Sequence, residues 1–130
     1  MPILNVKVSG DPSSKRSQDI AHMLSLHTEL ILRKKPELIA ITISYVEPAH
    51  WIVGGQTLLA QNKSSIYVDI KVTDETNTKE EKATYIRAVF KSFEELIGDL
   101  HPESYIYVED VRATAYGYGG LTQEHRYQHP

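Results

Sequence analysis

The chain has 130 residues, 14 basic and 17 acidic side chains, a formal charge of -3 and no cysteine. These values suit one small globular domain or two fused halves, and they exclude disulfides, thiolate metal sites and cysteine nucleophiles. No Lys/Arg block of the kind that nucleic acid needs is present. Since no apolar run approaches a membrane span and the first residues do not resemble a signal peptide, we expect a cytoplasmic protein that binds neither nucleic acid nor membrane.

The first half of the sequence predicts a strand, a helix and a second strand. Residues 3–8 (ILNVKV) alternate apolar and polar side chains, as a strand with one buried face does. From about Ser14 the apolar residues recur at helical spacing, and this helix should stop near Lys35 because Pro36 cannot continue it. Residues 38–46 (LIAITISYV) are rich in β-branched side chains and predict a strand. The apolar positions of the helix are Ile20, Met23, Leu24, Leu30 and Ile31.

The same order returns in the second half. Residues 66–72 and 105–111 predict strands, and residues from about 79 to 100 predict a helix between them. A shift of 65 residues places Trp51-Ile-Val-Gly-Gly on Tyr116-Gly-Tyr-Gly-Gly. Each half is therefore a β-α-β unit with parallel strands. The sequence predicts an α+β fold, a tandem β-α-β repeat with a four-stranded mixed sheet and two helices on one face.

The repeat defines the domain organisation. We expect one domain over residues 1–120, with repeats at 2–55 and 65–120 that are joined by the intervening link. The polar tail at 121–130 is interpreted either as a flexible end or as an arm onto a neighbouring subunit. The sheet face without helices is expected to carry apolar side chains that self-association would cover.

The order Met1-Pro2, strand, helix, strand and aromatic-x-x-Gly-Gly resembles the 4-oxalocrotonate tautomerase family of the tautomerase superfamily. The tandem form is similar to its long members, such as macrophage migration inhibitory factor and the cis-3-chloroacrylic acid dehalogenase. The resemblance implies a tautomerase-like fold, a homotrimer, no cofactor, and catalysis by the amino-terminal Pro2 once Met1 is removed. A free α-amino group has a pKa near ~8. An apolar pocket lowers it, so that the neutral amine can accept a proton.

The resemblance also implies substrate-binding residues, with departures from the family pattern. The arginine positions of the short tautomerases correspond to Pro12 and Ala40, and those of the dehalogenases fall near Thr73 and Thr76. The side chains of Pro12 and Ala40 cannot bind an anion, and the loss of arginine at Thr73 and Thr76 argues against dehalogenation of a chloroacrylate. The migration inhibitory factor pattern fits better. It implies that Lys35, or Lys34 with a one-residue slip, binds a substrate carboxylate.

In that pattern aromatic and apolar residues wall the site. Tyr105 corresponds to a tyrosine supplied by an adjacent subunit, Tyr107 replaces an asparagine, and Ile66 is an apolar wall. Trp51 corresponds to the aromatic wall of the short enzymes, and packing at a subunit contact is the alternative. Arg112 is a candidate guanidinium from a neighbouring subunit, with an ion pair to an adjacent carboxylate as the alternative.

The first predicted helix carries two histidines. His22 and His27 lie five residues apart on the first helix, the wrong spacing for two ligands on one face, so no metal site is expected. His27 falls opposite Phe93 in the repeat and is interpreted as a partly buried core residue. A supporting acid/base role is the alternative.

The sequence therefore predicts a cofactor-free tautomerase or isomerase with Pro2 as general base, acting on a small keto or enol acid. Two alternatives remain open: a hydratase of unsaturated acids, and a non-catalytic trimeric interaction protein.

Overall fold

The computed structural model describes residues 2–130, and its elements follow one another as two similar halves. The first half consists of strand β1 (Ile3–Ser9), helix α1 (Ser14–Leu30), strand β2 (Ala40–Val46), the short strands β3 (Ile52–Val53) and β4 (Gln56–Thr57), and helix α2 (Leu58–Gln61). The second half consists of β5 (Ile66–Thr73), α3 (Lys79–Ile97), β6 (Tyr105–Val111), β7 (Gly117–Tyr118), β8 (Leu121–Thr122) and α4 (Gln123–Gln128). Single 3-10 turns lie at Pro36–Leu38, Pro48–His50 and Ala113–Ala115.

The main sheet has four strands in the order β2-β1-β5-β6. Each half contributes a parallel pair, because its helix carries the chain back to the start of the next strand. The halves join through β1 and β5, which run antiparallel with Ile3 opposite Lys71 and Val8 opposite Ile66. The predicted α+β fold, with a tandem β-α-β repeat and a mixed four-stranded sheet, is confirmed.

Both long helices begin at capped amino termini. The side chain of Ser13 accepts a hydrogen bond from the backbone of Arg16 at the start of α1. Thr78 and Glu81 form a capping box at the start of α3, and Gly98, with a φ of 78°, ends that helix. Neither these helices nor any other within residues 2–130 is both long and apolar enough to cross a membrane.

Helix α1 ends earlier than Pro36 predicts. Its last residue is Leu30, and the chain turns at Arg33, whose φ of 59° lies in the left-handed region that no α-helix uses. Leu30 is 67% exposed, so its assignment to the apolar helix face is wrong. Leu32, beyond the helix, is buried instead and joins the core. The turn therefore leaves Leu30 exposed and brings Leu32 into the core in its place.

The core lies between the sheet and the two long helices. Alternate residues of β1 and β5 point into it, as the period of two requires. One buried polar pair crosses between the helices, where the hydroxyls of Thr28 and Tyr85 are hydrogen-bonded at 2.8 Å. Burial raises the pKa of Tyr85 to about 12. The largest apolar members of the core are Leu4, Ile20, Leu24, Leu32, Ile66, Ile70 and Phe93.

The sheet face turned away from the helices is polar, and the expectation of an apolar face is wrong. The residues of β1, β5 and β6 on this face include Asn5, Lys7, Tyr67, Asp69, Lys71, Tyr105, Tyr107 and Glu109. At its centre the ammonium of Lys71 lies 3.0 Å from a carboxylate oxygen of Asp69 and 3.0 Å from one of Glu109. Self-association through this face would bring ion pairs and tyrosines together, not a hydrophobic core.

The internal repeat extends past Gly120 into the carboxyl terminus. The same shift of 65 residues takes β3, β4 and α2 onto β7, β8 and α4, and the side chains of Thr57 and Thr122 cap the two equivalent helices. The boundary expected at Gly120 thus falls in the turn of a hairpin. The residues after it form a strand and a helix that contacts the turn at Ala113–Ala115.

Candidate functional site

Pro2 precedes β1 and is buried at one end of the main sheet. Its carbonyl oxygen accepts a hydrogen bond from the backbone nitrogen of Ala40, 3.1 Å away, so the pairing of β1 with β2 continues through it. A cavity of about 480 Å³ opens beside Pro2. We call it the proline pocket. Removal of Met1 lies outside the described residues.

The walls of the proline pocket are mainly apolar and aromatic. Leu38 and Ile39 approach from the turn before β2, and Tyr116 and Tyr118 approach from the segment after β6. Among residues 2–130, Glu37 is the only charged residue in the lining. An amine held in such surroundings is disfavoured in its charged form. The pocket is thus mainly apolar, with the Glu37 carboxylate as a group that favours a cation.

Tyr116 fixes the start of β1. Its hydroxyl oxygen accepts a hydrogen bond from the backbone nitrogen of Ile3 at 3.2 Å and donates one to the carbonyl oxygen of Lys71 at 3.0 Å. These residues face each other across β1 and β5, so the hydroxyl bridges the two strands where their ladder ends. Burial raises the pKa of Tyr116, which keeps the hydroxyl protonated at neutral pH.

A basic cleft adjoins the proline pocket and shares Leu38 and Tyr118 with it. Its volume is about 680 Å³. Four cations line it, namely Arg33, Lys34, Lys35 and Arg126, together with the acids Asp74, Glu75 and Glu124.

Arg33 and Lys34 are already engaged. Arg33 forms an ion pair with Glu81 at 2.8 Å, and Lys34 donates a hydrogen bond to the hydroxyl of Thr76 at 2.9 Å. Burial, with the charge of Arg33 second, lowers the pKa of Lys34. Lys35 is exposed and makes no side-chain hydrogen bond or ion pair with any residue from 2 to 130. Its ammonium is thus available to an anion in the basic cleft.

Arg126 is a functional candidate that sequence reasoning missed. Its guanidinium carbon lies 3.9 Å from the centroid of the Tyr118 ring, and Nη2 donates a hydrogen bond to the Tyr118 carbonyl oxygen at 2.9 Å. Its Nε is buried and without a protein partner in residues 2–130. The internal repeat could have identified Arg126. Thr57 and Thr122 occupy equivalent capping positions, so the helix after Thr57 predicts an equivalent short helix after Thr122, and this second helix contains Arg126.

Trp51, Ile66 and Tyr105 lie together, but not with Pro2. They line a second cavity of about 880 Å³, which we call the tryptophan pocket. Ile66 pairs with Val8, six residues along the sheet from Pro2. At about 3.3 Å per residue, the two pockets are about 20 Å apart. A site that contains both Pro2 and Tyr105 therefore requires two copies of the chain.

Tyr107 and Arg112 lie outside both pockets. Tyr107 is 52% exposed on the polar sheet face opposite Asp69. Arg112 is exposed just after β6, and the carboxylates considered as its ion-pair partners are taken by lysines: Glu109 pairs with Lys71 and Asp110 with Lys82. The ion-pair alternative for Arg112 is therefore wrong.

His27 is a half-buried residue between the helices, as the repeat predicts. Its Nε2 lies 2.8 Å from the hydroxyl oxygen of Ser92, and burial lowers its pKa. Across residues 2–130 no three histidine or acidic side chains are placed to hold a metal ion.

Comparison with known proteins identifies the fold. No family model and no curated sequence matches the chain. Among solved structures, native fused 4-OT is similar with a TM-score of 0.83 and 17% identity over 95% of this chain and 97% of that one. Pt0534 inactivated by 2-oxo-3-pentynoate gives 0.82 and 14% over 95% and 98%. A fused 4-OT symmetric trimer gives 0.78 and 18% over 94% and 96%. The chain has the fold of fused 4-OT and Pt0534 over nearly its whole length.

Proposed function

We propose that this protein is a cofactor-free tautomerase of small keto or enol acids, with Pro2 as its general base. One observation carries the proposal: Pro2 is buried at the start of β1, beside a largely apolar pocket of about 480 Å³. With Met1 removed, the Pro2 nitrogen is a secondary amine. Its lone pair takes a proton from the carbon next to the substrate carbonyl, and the resulting ammonium returns the proton to the carbonyl oxygen, which gives the enol. Ketonisation is the same transfer in reverse, from the enol hydroxyl to the carbon.

The basic cleft is the proposed binding site for the substrate carboxylate. A keto acid that places its reacting carbon beside Pro2 extends its carboxylate past Leu38 and Tyr118, towards Lys35 and Arg126. Lys35 is unpaired within the described chain, and Arg126 has a donor without a partner. Charge-assisted hydrogen bonds to a carboxylate are the strongest type available to such a site. Lys34, which Thr76 already engages, serves less well.

Subunits of a homotrimer complete the site in this proposal. One fused 4-OT of the same fold is a symmetric trimer. Tyr105, Tyr107 and Arg112 are exposed in the single chain and are free to reach a neighbouring proline pocket. Trp51 and Ile66 remain in the tryptophan pocket, so their assignment to the substrate site of Pro2 depends on the same assembly.

A hydratase of unsaturated acids is the second candidate, and Glu37 favours it. This carboxylate lines the proline pocket and is exposed, so it can hold a water molecule opposite the Pro2 ammonium. A trimeric interaction protein without catalysis is the third. It is the expected conclusion if Met1 stays on the protein, because Pro2 is then an amide.

The test begins with the intact mass of the purified protein, which reports whether Met1 is present. Ultraviolet assays then follow ketonisation of phenylenolpyruvate and 2-hydroxymuconate, and hydration of an unsaturated acid. The sharpest control is the same protein with an uncleavable extension ahead of Pro2, since it changes the amine to an amide and leaves every side chain in place. Pro2→Ala is the second control, because it keeps an amine but makes it primary.

The electrophile 2-oxo-3-pentynoate, which inactivates Pt0534, provides a direct probe of the amine. An activated alkyne adds to a neutral amine without a leaving group, so the peptide that begins at Pro2 should gain the mass of one reagent molecule. The extended protein should gain none. Equal labelling of the protein that begins at Pro2 and of the extended protein, or equal turnover by the two, would contradict the proposal.

A further inference from the structure

The two pockets are equivalent positions of the internal repeat. Shifting β1 onto β5 by 64 residues places Pro2 on Ile66, and the register of each parallel pair then places Ala40 on Tyr105. The shift of 65 that superposes the hairpins places Trp51 on Tyr116. Each pocket thus has a strand start as its floor and an aromatic side chain from the other half as its wall. The tryptophan pocket is a second site of the same construction.

The two halves differ in charge at a pair of equivalent lysines, Lys71 and Lys7. Lys71 has acid neighbours on the polar sheet face and pairs with both Asp69 and Glu109 at 3.0 Å. The equivalent residue in the first half is Lys7, which lines the tryptophan pocket. The positions equivalent to Asp69 and Glu109 hold Asn5 and Ser44, which carry no charge. The Lys7 ammonium consequently makes no ion pair or side-chain hydrogen bond within residues 2–130.

Four other polar side chains of the pocket are hydrogen-bonded in pairs, His101 with Gln61 and Tyr105 with Glu103. Nδ1 of His101 accepts a hydrogen bond from the backbone nitrogen of Glu103 at 3.0 Å, so the ring proton lies on Nε2 and is donated to the side-chain oxygen of Gln61 at 3.1 Å. The Tyr105 hydroxyl donates to the Glu103 carboxylate at 2.8 Å. Lys7 is therefore the one charged side chain in the described lining that is left for a ligand.

We propose that the tryptophan pocket binds a small planar carboxylic acid, with the carboxylate on Lys7 and the planar body between the rings of Trp51, Tyr67 and Tyr105. Aromatic walls favour a flat ligand, and an unpaired ammonium at the sheet surface favours an anion. The ligand leaves the pocket unchanged, because Ile66 stands where Pro2 stands in the first half and its backbone nitrogen is an amide. The pocket binds without turnover.

The structure supplies its own reporter for the test. Trp51 is the only tryptophan of the chain and lies in the wall of this pocket, about 20 Å from the proline pocket of the same chain. Binding in the proline pocket of a neighbouring subunit is distinguished by the Lys7 variant below, because Lys7 does not line the proline pocket. Benzoate titrated into the full-length Pro2→Ala protein should change the fluorescence of Trp51 with a saturable dependence. Benzamide, which has the same shape without the charge, should bind about tenfold more weakly. The titration needs no turnover, so its result does not depend on whether Pro2 is catalytic.

Lys7→Gln is the decisive variant. It should weaken benzoate binding about tenfold and leave benzamide binding unchanged, whereas Lys63→Gln, an exposed lysine outside the pocket, should change neither. Circular dichroism checks that both variants are folded. Equal benzoate affinity in Lys7→Gln and the parent would overturn the proposal. So would a Trp51 signal that responds to protein concentration but not to benzoate, because a second copy of the chain would then fill the pocket.

Discussion

The hydroxyl oxygen of Tyr116 lies 3.2 Å from the backbone nitrogen of Ile3, although the two residues are 113 positions apart in the sequence. The same hydroxyl reaches the carbonyl oxygen of Lys71. The Tyr116 side chain thus links β1, the strand that follows Pro2, to β5, the first strand of the second repeat. The position of the candidate base depends on the carboxyl-terminal half of the molecule.

Replacing Tyr116 with phenylalanine tests this bridge. The change leaves the backbone N–H of Ile3 and the carbonyl of Lys71 without their partner, which should lower the free energy of unfolding by about 1–2 kcal/mol in urea titrations. Ketonisation activity should fall as well, because the start of β1 is no longer held. Tyr127→Phe is the control, since Tyr127 is 85% exposed and should be neutral. Identical stabilities of the two variants would show that the bridge contributes nothing.

Gly117→Ala should disrupt the wall of the proline pocket. A Cβ built on Gly117 would lie 2.1 Å from the carbonyl oxygen of Leu121, its hairpin neighbour, so β7 and β8 must separate. The equivalent hairpin offers a control in Gly54→Ala, where the new Cβ meets nothing within 4 Å and only the positive φ of 63° is unfavourable, by about 1–2 kcal/mol. We expect a larger loss of thermal stability and of activity in Gly117→Ala. Equal losses in both variants would count against a role for the β7–β8 hairpin.

Lys35→Gln should raise KM for keto acids about three- to tenfold with little change in kcat. The reason is that a partly exposed cation contributes to binding of the carboxylate both before and during proton transfer. Steady-state kinetics with Lys91→Gln as the control, an exposed lysine on α3, separates this effect from a general change in charge. If KM of Lys35→Gln matches that of the control, carboxylate recognition belongs to Arg126 or to another subunit.

Glu81 makes stability depend on acid pH. The Arg33 guanidinium, followed by hydrogen bonds from Thr78 and Asn77, lowers the pKa of Glu81 from 4.5 to about 2. The stability that the ionised carboxylate provides is complete above about pH 4.5 and is lost as the pH falls towards 2. Melting temperatures of Glu81→Gln should therefore decline less than those of the parent over this range. Glu80→Gln, one residue away, should follow the parent curve.

The sequence predicted the β-α-β order well, because hydrophobic periodicity and the Gly and Pro punctuation agreed with each other. The bounds of β6 and the start of α3 matched the prediction. The early end of α1 was not predictable from Pro36, since the chain breaks its helix with Arg33 in a left-handed conformation, which no local signal in the sequence indicated.

The composition of the site was harder to predict than the fold, for a topological reason. Pro2 and Ile66 begin equivalent strands, and the antiparallel join of β1 with β5 sends those beginnings to opposite ends of the sheet. A correspondence drawn along the sequence could not show this separation. The same join brings Tyr116 to Pro2 and Trp51 to Ile66, so each half supplies the aromatic wall for the other.

The repeat, in which each half contributes an aromatic side chain to the pocket of the other, has an evolutionary consequence. A chain has a single amino terminus, whereas Ile66 is bonded on both sides, so only one of the two related sites can keep chemistry that depends on a free amine. Under the proposed function, selection for proton transfer acts on one copy and is relaxed on the other. The second copy is free to diverge in charge and size, and the difference between Lys7 and Lys71 is the kind of divergence that this freedom permits.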